Sequence, residues 1–401
     1  HTYKSGVMLG LALCSIGTML FYPALKANYI SSFLSFGLYL FAIFILFAGL
    51  SVLETSTNSY VYALGSSATA TRRLNFAQSF NPFGALTGVI ISQTFVLSNL
   101  NTLSAGQRTQ ISANELLEIQ NLELTSVTRT YMVLGLVFLI LLFLILLTKM
   151  PKTSDELSNE QEFNFKFTFK RLLKNKNYVF GVVTQFFYVG AQIAVWSFII
   201  RYVIEQLNLE QVIIKLGNAP TQDMVIATLR AIEPISEAFY NICNSIGLDA
   251  LLPRTIEQAG ATYYVLSLIL FVIARFICTA FMKYIKPVNI LSLLSILAVV
   301  CSFIVIYSEG PLGVYALILI SGCMSLMFPT IYSIGMRGLG EDTKIGGSGM
   351  VMAIAGAAVL TQLQGIVSDS TSSIKMAYWV PAIAFIIIAI YSFTIARKKI
   401  K

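Results

Sequence analysis

The sequence predicts an all-α protein that crosses a membrane many times. Hydrophobic residues make up 56% of its 401 residues and charged residues only 11%, and the mean hydropathy is +0.75. A water-soluble fold would expose too much of this apolar surface to stay dispersed. The apolar residues also fall into runs long enough to cross about 30 Å of hydrocarbon. Lipid is therefore the predicted solvent of the fold.

Ten such runs follow one another along the chain. They cover residues 6–22, 35–64, 76–97, 131–147, 179–204, 263–282, 288–307, 312–335, 349–366 and 376–395. Each is predicted to be a helix, because a single segment in lipid can satisfy its backbone hydrogen bonds only within itself. A membrane β-barrel would instead show weak alternating segments.

The charges between these runs predict the orientation. If the first run leaves the cytoplasm, the inner loops and tail hold eighteen of the 27 Lys and Arg residues, and the outer segments hold eight. Basic residues favour the cytoplasmic side, so both ends of the chain are predicted to face the cytoplasm of a bacterial-type inner membrane. The net charge of +8 is then explained by loops at the bilayer, and no nucleic-acid partner is predicted.

A polar segment divides the runs unequally. Residues 148–177 are predicted to form a cytoplasmic linker between helical halves at 1–147 and 178–401. Four runs precede the linker and six follow it, whereas many transporters join two six-helix halves through such a loop. Two further spans are therefore expected before His1. In the second half, the outer insertion 205–261 carries an amphipathic pattern at 223–232, which predicts either a lid or a plain surface insertion.

The composition argues against most catalytic chemistry. The single histidine is His1, so the interior has no histidine for a nucleophile, a zinc site or a proton relay. Four of the five cysteines lie inside apolar runs, and their spacing fits no disulfide framework or metal cluster. The sequence predicts no enzyme, no catalytic residue, no metal and no cofactor. Nor does it show the ring of pore-lining groups that a channel requires.

One carboxylate lies deep within an apolar run. All acidic residues except Glu54 fall in loops or near the ends of runs. Asn58 follows Glu54 one helical turn later on the same face and is predicted to contact the substrate. A carboxyl group at membrane depth is costly and by default marks a functional site. Loss of hydration favours its neutral form, so Glu54 is predicted to bind and release a proton as water access changes. The alternative is a permanently protonated carboxyl group that only hydrogen-bonds a neighbouring helix.

Arg275 is the other charge inside a run, in the opposite half of the chain from Glu54. Two structural roles are predicted for it. Its guanidinium group either bridges helices or extends its long side chain towards water.

Amides and aromatic rings suggest a sugar site, because hydroxyl groups require donors and acceptors while the apolar face of a pyranose stacks on rings. Gln78 and Asn81 are three residues apart and precede Pro82, which predicts a helix break that turns both towards a cavity. A second stripe follows helical spacing and contains two amides and two rings: Gln185, Tyr188, Gln192 and Trp196. Hydrogen bonding between helices is the alternative role for each amide.

These same residues resemble the L-fucose permease family, proton-coupled sugar symporters of the major facilitator superfamily. The matching stretches are LETSTN at 53–58, RLNFAQSFN at 73–81, FGA at 83–85, YVGAQ at 188–192, WS at 196–197, IRY at 200–202, FPTIYS at 328–333, LGEDTK at 339–344 and GIVSD at 365–369. Their order along the chain makes the resemblance specific. It implies the major facilitator fold, with ten of an expected twelve transmembrane helices present.

The resemblance also implies roles for three residues. The family's fourth span carries a proton-coupling carboxylate, which corresponds to Glu54, and its fifth span carries sugar-binding amides, which correspond to Gln78 and Asn81. A second acidic residue is expected in the first span, outside this chain. The sequence departs from the family at Ser59 and Pro82, at Thr361-Gln362, and in a longer segment 205–261.

These features predict an alternating-access symporter that imports L-fucose or a closely related hexose together with a proton. The predicted partners are a small-molecule sugar, the proton and the lipid bilayer. Two alternatives stay open: a galactose or glucose symporter of the same family, and a membrane sugar sensor that binds without transporting.

Overall fold

The computed structural model describes residues 3–91, 108, 111–151, 165–208, 234–245 and 256–397, and within these ranges the chain is helical, without β-strands. The first helices are α1 Tyr3–Met19, α2 Phe21–Ala27, α3 Ser32–Ala63, α4 Ala70–Gln78, α5 Asn81–Ile91 and α6 Ala113–Leu147. The middle helices are α7 Phe165–Lys174, α8 Lys176–Gln206, α9 Pro234–Ser245, α10 Ile256–Phe281 and α11 Pro287–Tyr307. The last are α12 Pro311–Met324, α13 Met327–Gly335, α14 Thr343–Met352, α15 Gly356–Thr371, α16 Ile374–Ala377 and α17 Trp379–Arg397.

Nine helical segments of the described ranges are long and apolar enough to cross a membrane. They correspond to nine of the ten predicted runs. The remaining run, 76–97, is divided between α4 and α5, and its residues from 92 onwards lie outside the described residues. The division falls just before Pro82, whose missing N–H group interrupts the helical hydrogen bonds.

One helix extends well beyond its predicted run. The predicted run begins at residue 131, but α6 begins at Ala113 and continues for 35 residues to Leu147. Its start is explained by local sequence: the Ser112 hydroxyl group accepts a hydrogen bond from the Glu115 backbone N–H at 3.3 Å. A Ser with Glu three residues later is a strong helix start. Part of the segment between the predicted runs 76–97 and 131–147 is therefore helix.

The chain forms two compact units by its internal contacts. The first consists of His1–Tyr60 and Thr87–Gln161, and the second consists of Val61–Leu86 and Glu162–Lys401. The division into halves at the linker 148–177 stays a prediction.

In the first unit, α1 and α3 pack closely because glycines lie at their contact. A side chain at Gly10 would place its first carbon 2.8 Å from the backbone nitrogen of Leu53, which leaves no room for one. The aromatic ring of Phe21 stacks on Tyr131 of α6, with the ring centroids 4.1 Å apart. Small residues and ring contacts supply the close packing that holds helices together in lipid.

In the second unit, α8 is the central helix and packs against α10, α13, α15 and α17. A side chain at Gly190 would place its first carbon 2.8 Å from the carbonyl oxygen of Gly356, so the α8 and α15 backbones approach closely there. Large side chains such as Tyr188 and Tyr202 fill the interior of this unit and are 0% exposed. This packing places the predicted α8 stripe at fixed positions.

Contacts between loops agree with the predicted alternation of sides. In the second unit, Arg171 forms an ion pair with Asp342, and Lys375 lies 4.0 Å from Glu309. The alternation predicts the first pair on the inner side and the second on the outer side. In the first unit, Lys4 donates hydrogen bonds to the carbonyl oxygens near the end of α6, at 2.9 Å for Thr148.

The outer insertion 205–261 contains a helix in its described part. In α9, the Tyr240 hydroxyl group hydrogen-bonds Thr262 of α10 at 3.4 Å. Burial raises the pKa of Tyr240 to about 12. The predicted amphipathic segment 223–232 lies outside the described residues.

Candidate functional site

Glu54 lies within α3, half-buried in the first unit. Its carboxyl group hydrogen-bonds the side chain of Asn58, which is 4% exposed. The two polar groups therefore share one face of α3, as their spacing predicted. The pairing gives the carboxyl group a polar neighbour in both of its protonation states.

Gln78 and Asn81 flank the break between α4 and α5. The Asn81 amide donates a hydrogen bond from Nδ2 to Oε1 of Gln78 at 3.2 Å. Gln78 is half-buried and Asn81 is exposed. The predicted break is present, and the two amides form one polar group at the end of α4. That both turn towards a cavity stays a prediction.

The stripe on α8 is divided between two environments. The Tyr188 hydroxyl group donates to the Met324 carbonyl oxygen at 3.0 Å, and Trp196 Nε1 donates to Ser321 Oγ at 3.2 Å. These two residues thus use their polar atoms to hold α8 against α12. Tyr188 is fully buried, whereas Trp196 is partly exposed.

The two amides of the same stripe differ from its two rings in their hydrogen-bond partners. Gln192 is half-buried. Gln185 is 0% exposed, and neither its Oε1 nor its Nε2 has a hydrogen-bond partner among the described residues. A buried amide without partners costs free energy on the order of 1–3 kcal/mol. Gln185 is therefore a strong candidate for a group whose partner is water or a ligand.

Arg275 is buried in α10 at 3% exposure. Its Nη1 donates to the Gln78 carbonyl oxygen at 2.7 Å, and its Nε donates to the Ser325 carbonyl oxygen. The centre of its guanidinium group also lies 4.6 Å from the Phe271 ring centroid, within cation–π range. Of the two predicted roles, bridging between helices is the one that Arg275 has in the structure.

A polar contact that the sequence analysis did not identify joins α4 to α13. The hydroxyl groups of Thr71 and Ser333 are 2.6 Å apart, and Asn75 Nδ2 donates to Thr330 Oγ1 at 3.2 Å. All four residues are buried. The signal in the sequence was the spacing of Thr71 and Asn75 at i and i+4, matched by Thr330 and Ser333 at i and i+3.

Gln364 in α15 is a second missed candidate. It is 0% exposed, and its amide atoms have no hydrogen-bond partner among the described residues. Its position inside an apolar run, three residues after Thr361, was the available signal.

A cavity of about 550 Å³ lies in the second unit beside α4 and α10. Its lining residues are Thr69, Arg72, Arg73, Phe76, Phe276, Thr279 and Ala280. No predicted site residue is among them. Within the described residues, no group of His, Cys, Asp and Glu side chains could hold a metal ion.

Structural comparison identifies the class of protein. A crystal structure of the Escherichia coli fucose:proton symporter matches with a TM-score of 0.78 and 31% identity, over 98% of this chain and 83% of that chain. A structure of a proton:xylose symporter matches with a TM-score of 0.56 and 11% identity, over 98% of this chain and 79% of that chain, which shows the fold alone. With these matches, the apolar helices and their few intramembrane polar groups define an integral membrane transporter of the major facilitator superfamily.

Sequence comparison identifies the family. The L-fucose-proton symporter of Haemophilus influenzae is 34% identical over 98% of this chain and 81% of its own length. That of Escherichia coli is 31% identical over 98% of this chain and 78% of its own length. No protein-family model matches the chain. The chain belongs to the L-fucose-proton symporter family, whose members are transporters and not enzymes.

Proposed function

We propose that this protein imports L-fucose, or a closely related hexose, together with a proton by alternating access. The observation that carries the proposal is Glu54, a half-buried carboxyl group inside an apolar helix of a chain whose family is named for proton-coupled fucose transport. The membrane is a bacterial cytoplasmic membrane, and both ends of the chain face the cytoplasm.

Glu54 is the proton-binding group of this proposal. A carboxyl group with little water around it favours the neutral form, and access to water favours ionisation. Alternating exposure of Glu54 to the two sides would therefore load and release one proton per cycle. Asn58 can accept a hydrogen bond from the protonated carboxyl group or donate one to the carboxylate.

The sugar-binding groups are the amides and one aromatic ring. Gln78 and Asn81 offer both donors and acceptors at a helix break, and the buried amide of Gln185 has no hydrogen-bond partner among the residues that the structure describes. Gln192 and the ring of Trp196 complete the proposed set, while Tyr188 holds α8 in position through its contact with α12.

Coupling requires that the sugar bind more tightly when Glu54 is protonated. Proton and sugar then raise each other's affinity by the same factor, because linkage is reciprocal. A sugar that bound the protonated and ionised forms of Glu54 with equal affinity would not shift the equilibrium between them. Its transport would then drive no proton flux.

A second candidate function is transport of galactose or glucose. The Brucella abortus protein named as a glucose/galactose transporter is 26% identical over 97% of this chain and 78% of its own length. The fold and the carboxylate are compatible with either sugar, so the substrate must be tested. A sensor that binds sugar without moving it is the other alternative.

The test is uptake by the purified protein in proteoliposomes, with L-fucose, galactose and glucose compared and external alkalinisation recorded. We expect L-fucose to drive proton entry. Proton flux with another hexose alone would change the substrate, and binding without flux would favour a sensor. Absence of both binding and flux for all three sugars would overturn the proposal.

A further inference from the structure

Two helical segments are interrupted in the same way, and both interruptions lie in the second unit. The first interruption separates α4 from α5 between Gln78 and Asn81, and the second separates α12 from α13 between Met324 and Met327. A proline follows each interruption, at Pro82 and at Pro329. In an α-helix each N–H group bonds the carbonyl oxygen four residues earlier, and proline has no N–H group.

The two prolines therefore leave two particular carbonyl groups without their helical donors. Pro82 cannot donate to the Gln78 carbonyl oxygen, and Pro329 cannot donate to the Ser325 carbonyl oxygen. In the hydrocarbon region, backbone groups without partners cost several kcal/mol, so another donor is required.

Both carbonyl groups receive that donor from one side chain. Arg275 of α10 donates from Nη1 to Gln78 and from Nε to Ser325. These are the same two oxygen atoms whose helical donors the prolines remove. The C-terminal ends of α4 and α12 also carry partial negative charge, which offsets the cost of burying the arginine cation.

Neighbouring groups hold both breaks at fixed positions. The Tyr188 hydroxyl group lies at the α12 break, where it donates to the Met324 carbonyl oxygen and hydrogen-bonds the Phe328 backbone. At the α4 break, Phe276, which follows Arg275, makes edge-on ring contacts with Phe80 and Phe83 at 6.1 Å and 6.0 Å between centroids.

We infer that Arg275 is a positioning residue for sugar binding: its guanidinium group replaces the two backbone donors missing at Pro82 and Pro329 and thereby fixes the broken helix ends. The fixed helix ends in turn hold Gln78 and Asn81 in position, because these two residues flank the first break and share a hydrogen bond. This consequence rests on the proposed sugar site, whereas the replacement of the donors does not.

Arginine suits this task better than lysine. Its planar group presents several N–H donors in fixed directions, so it can reach two carbonyl oxygens on different helices at once. A lysine ammonium group is compact and can serve as a point donor to one of them. We therefore expect Arg275→Lys to keep part of the function and Arg275→Met to lose most of it.

The proposal predicts a selective rescue. Arg275→Met should weaken L-fucose binding about tenfold, the loss expected for one hydrogen bond to a charged group, and should lower the thermal midpoint. Adding Pro82→Ala restores an N–H group opposite the Gln78 carbonyl oxygen and should recover most of the binding. Adding Pro329→Ala should recover thermal stability with a smaller effect on binding.

Pro287 supplies the matched control. It lies at the start of α11, where its N–H group would have no helical partner, so Pro287→Ala should rescue nothing. Equilibrium binding of radiolabelled L-fucose and thermal unfolding in detergent are measured for the unmodified protein, each single variant and each double variant. If Arg275→Met does not fold alone, the series is run on Arg275→Lys.

The outcomes separate this inference from the proposed function. If the unmodified protein binds no hexose, the proposed function fails, and the thermal midpoints still test the donor replacement without sugar. Unchanged binding and stability in Arg275→Met would overturn the inference. It would equally be overturned if Pro287→Ala rescued as well as Pro82→Ala and Pro329→Ala.

Discussion

Glu54 and the amides of the proposed sugar site have different local environments. These environments determine what each substitution should do. Glu54 has a polar neighbour in Asn58 within its own helix. Gln78 and Asn81 are paired at a helix break, and Gln185 is buried without a hydrogen-bond partner in the described part of the chain. A titratable group should affect coupling, and neutral amides should affect affinity.

Glu54→Gln should abolish proton-driven accumulation of sugar, because the amide keeps the size and polarity of the side chain but cannot exchange a proton. Exchange of sugar across the membrane should persist and should lose its dependence on pH. The measurement is uphill uptake and counterflow in proteoliposomes. Glu309→Gln, at a carboxylate whose side chain is 93% exposed, is the control and should transport normally. Normal accumulation by Glu54→Gln would rule out its role in coupling.

Gln78→Ala and Asn81→Ala should each weaken sugar binding by about 1–2 kcal/mol, or roughly five- to thirtyfold, since each removes hydrogen bonds to the sugar hydroxyl groups. Equilibrium binding at fixed pH measures the effect. Gln362→Ala is a suitable control because Gln362 is an exposed glutamine on α15. If both variants bound sugar with unchanged affinity, the amides would have to be removed from the site.

At the scale of elements, interrupted helices are the main feature of the second unit. The span 311–335 is divided into α12 and α13. A second break separates the end of α4 at Gln78 from the start of α5 at Asn81. Polar side chains on the neighbouring helices bond the backbone at these breaks. The α4 helix is further held to α13 by the hydroxyl pair of Thr71 and Ser333.

This hydroxyl pair should be worth about 0.5–1 kcal/mol, the usual range for polar contacts between membrane helices. Thr71→Val and Ser333→Ala should each lower the free energy of unfolding, because each removes one partner from a buried bond. The double variant should cost less than the sum of the two single variants. A double-mutant cycle in detergent measures the coupling, with the exposed Ser197→Ala as control. Additive effects would show that the pair contributes nothing.

At the scale of the whole molecule, the alternation of helices predicts which loops share a side of the membrane. The observed loop contacts, Arg171 with Asp342 and Lys375 with Glu309, join segments that this alternation places together. The excess of basic residues predicts the cytoplasmic side for the first pair.

Cysteine labelling in intact cells can check this orientation. Tyr284, which is 79% exposed, lies in a predicted inner loop, and Glu309 lies in a predicted outer one. Glu309→Cys should react with a membrane-impermeant maleimide, and Tyr284→Cys should react only after permeabilisation. Background labelling should be low because none of the five native cysteines is exposed. The reverse pattern would invert the orientation, and labelling of both would contradict the predicted alternation.

Much of this protein follows from its sequence, because lipid imposes strict rules. Long apolar runs must be helices, so the all-α membrane fold and nine of the ten runs could be predicted, and the family matches confirm the class. The cost of burying charge singled out Glu54 and Arg275. The spacing before Pro82 predicted the break that the structure contains.

Only the tertiary structure decided which groups meet. Hydropathy carries no information about contacts between distant segments, so the partners of Arg275, 197 residues from Gln78 and 50 from Ser325, could not be predicted. Nor could the sequence distinguish Tyr188 and Trp196, whose polar atoms join helices, from Gln185, whose buried amide has no hydrogen-bond partner within the described ranges. Helical spacing places side chains on a common face, but the hydrogen bonds of each depend on which helix packs against that face.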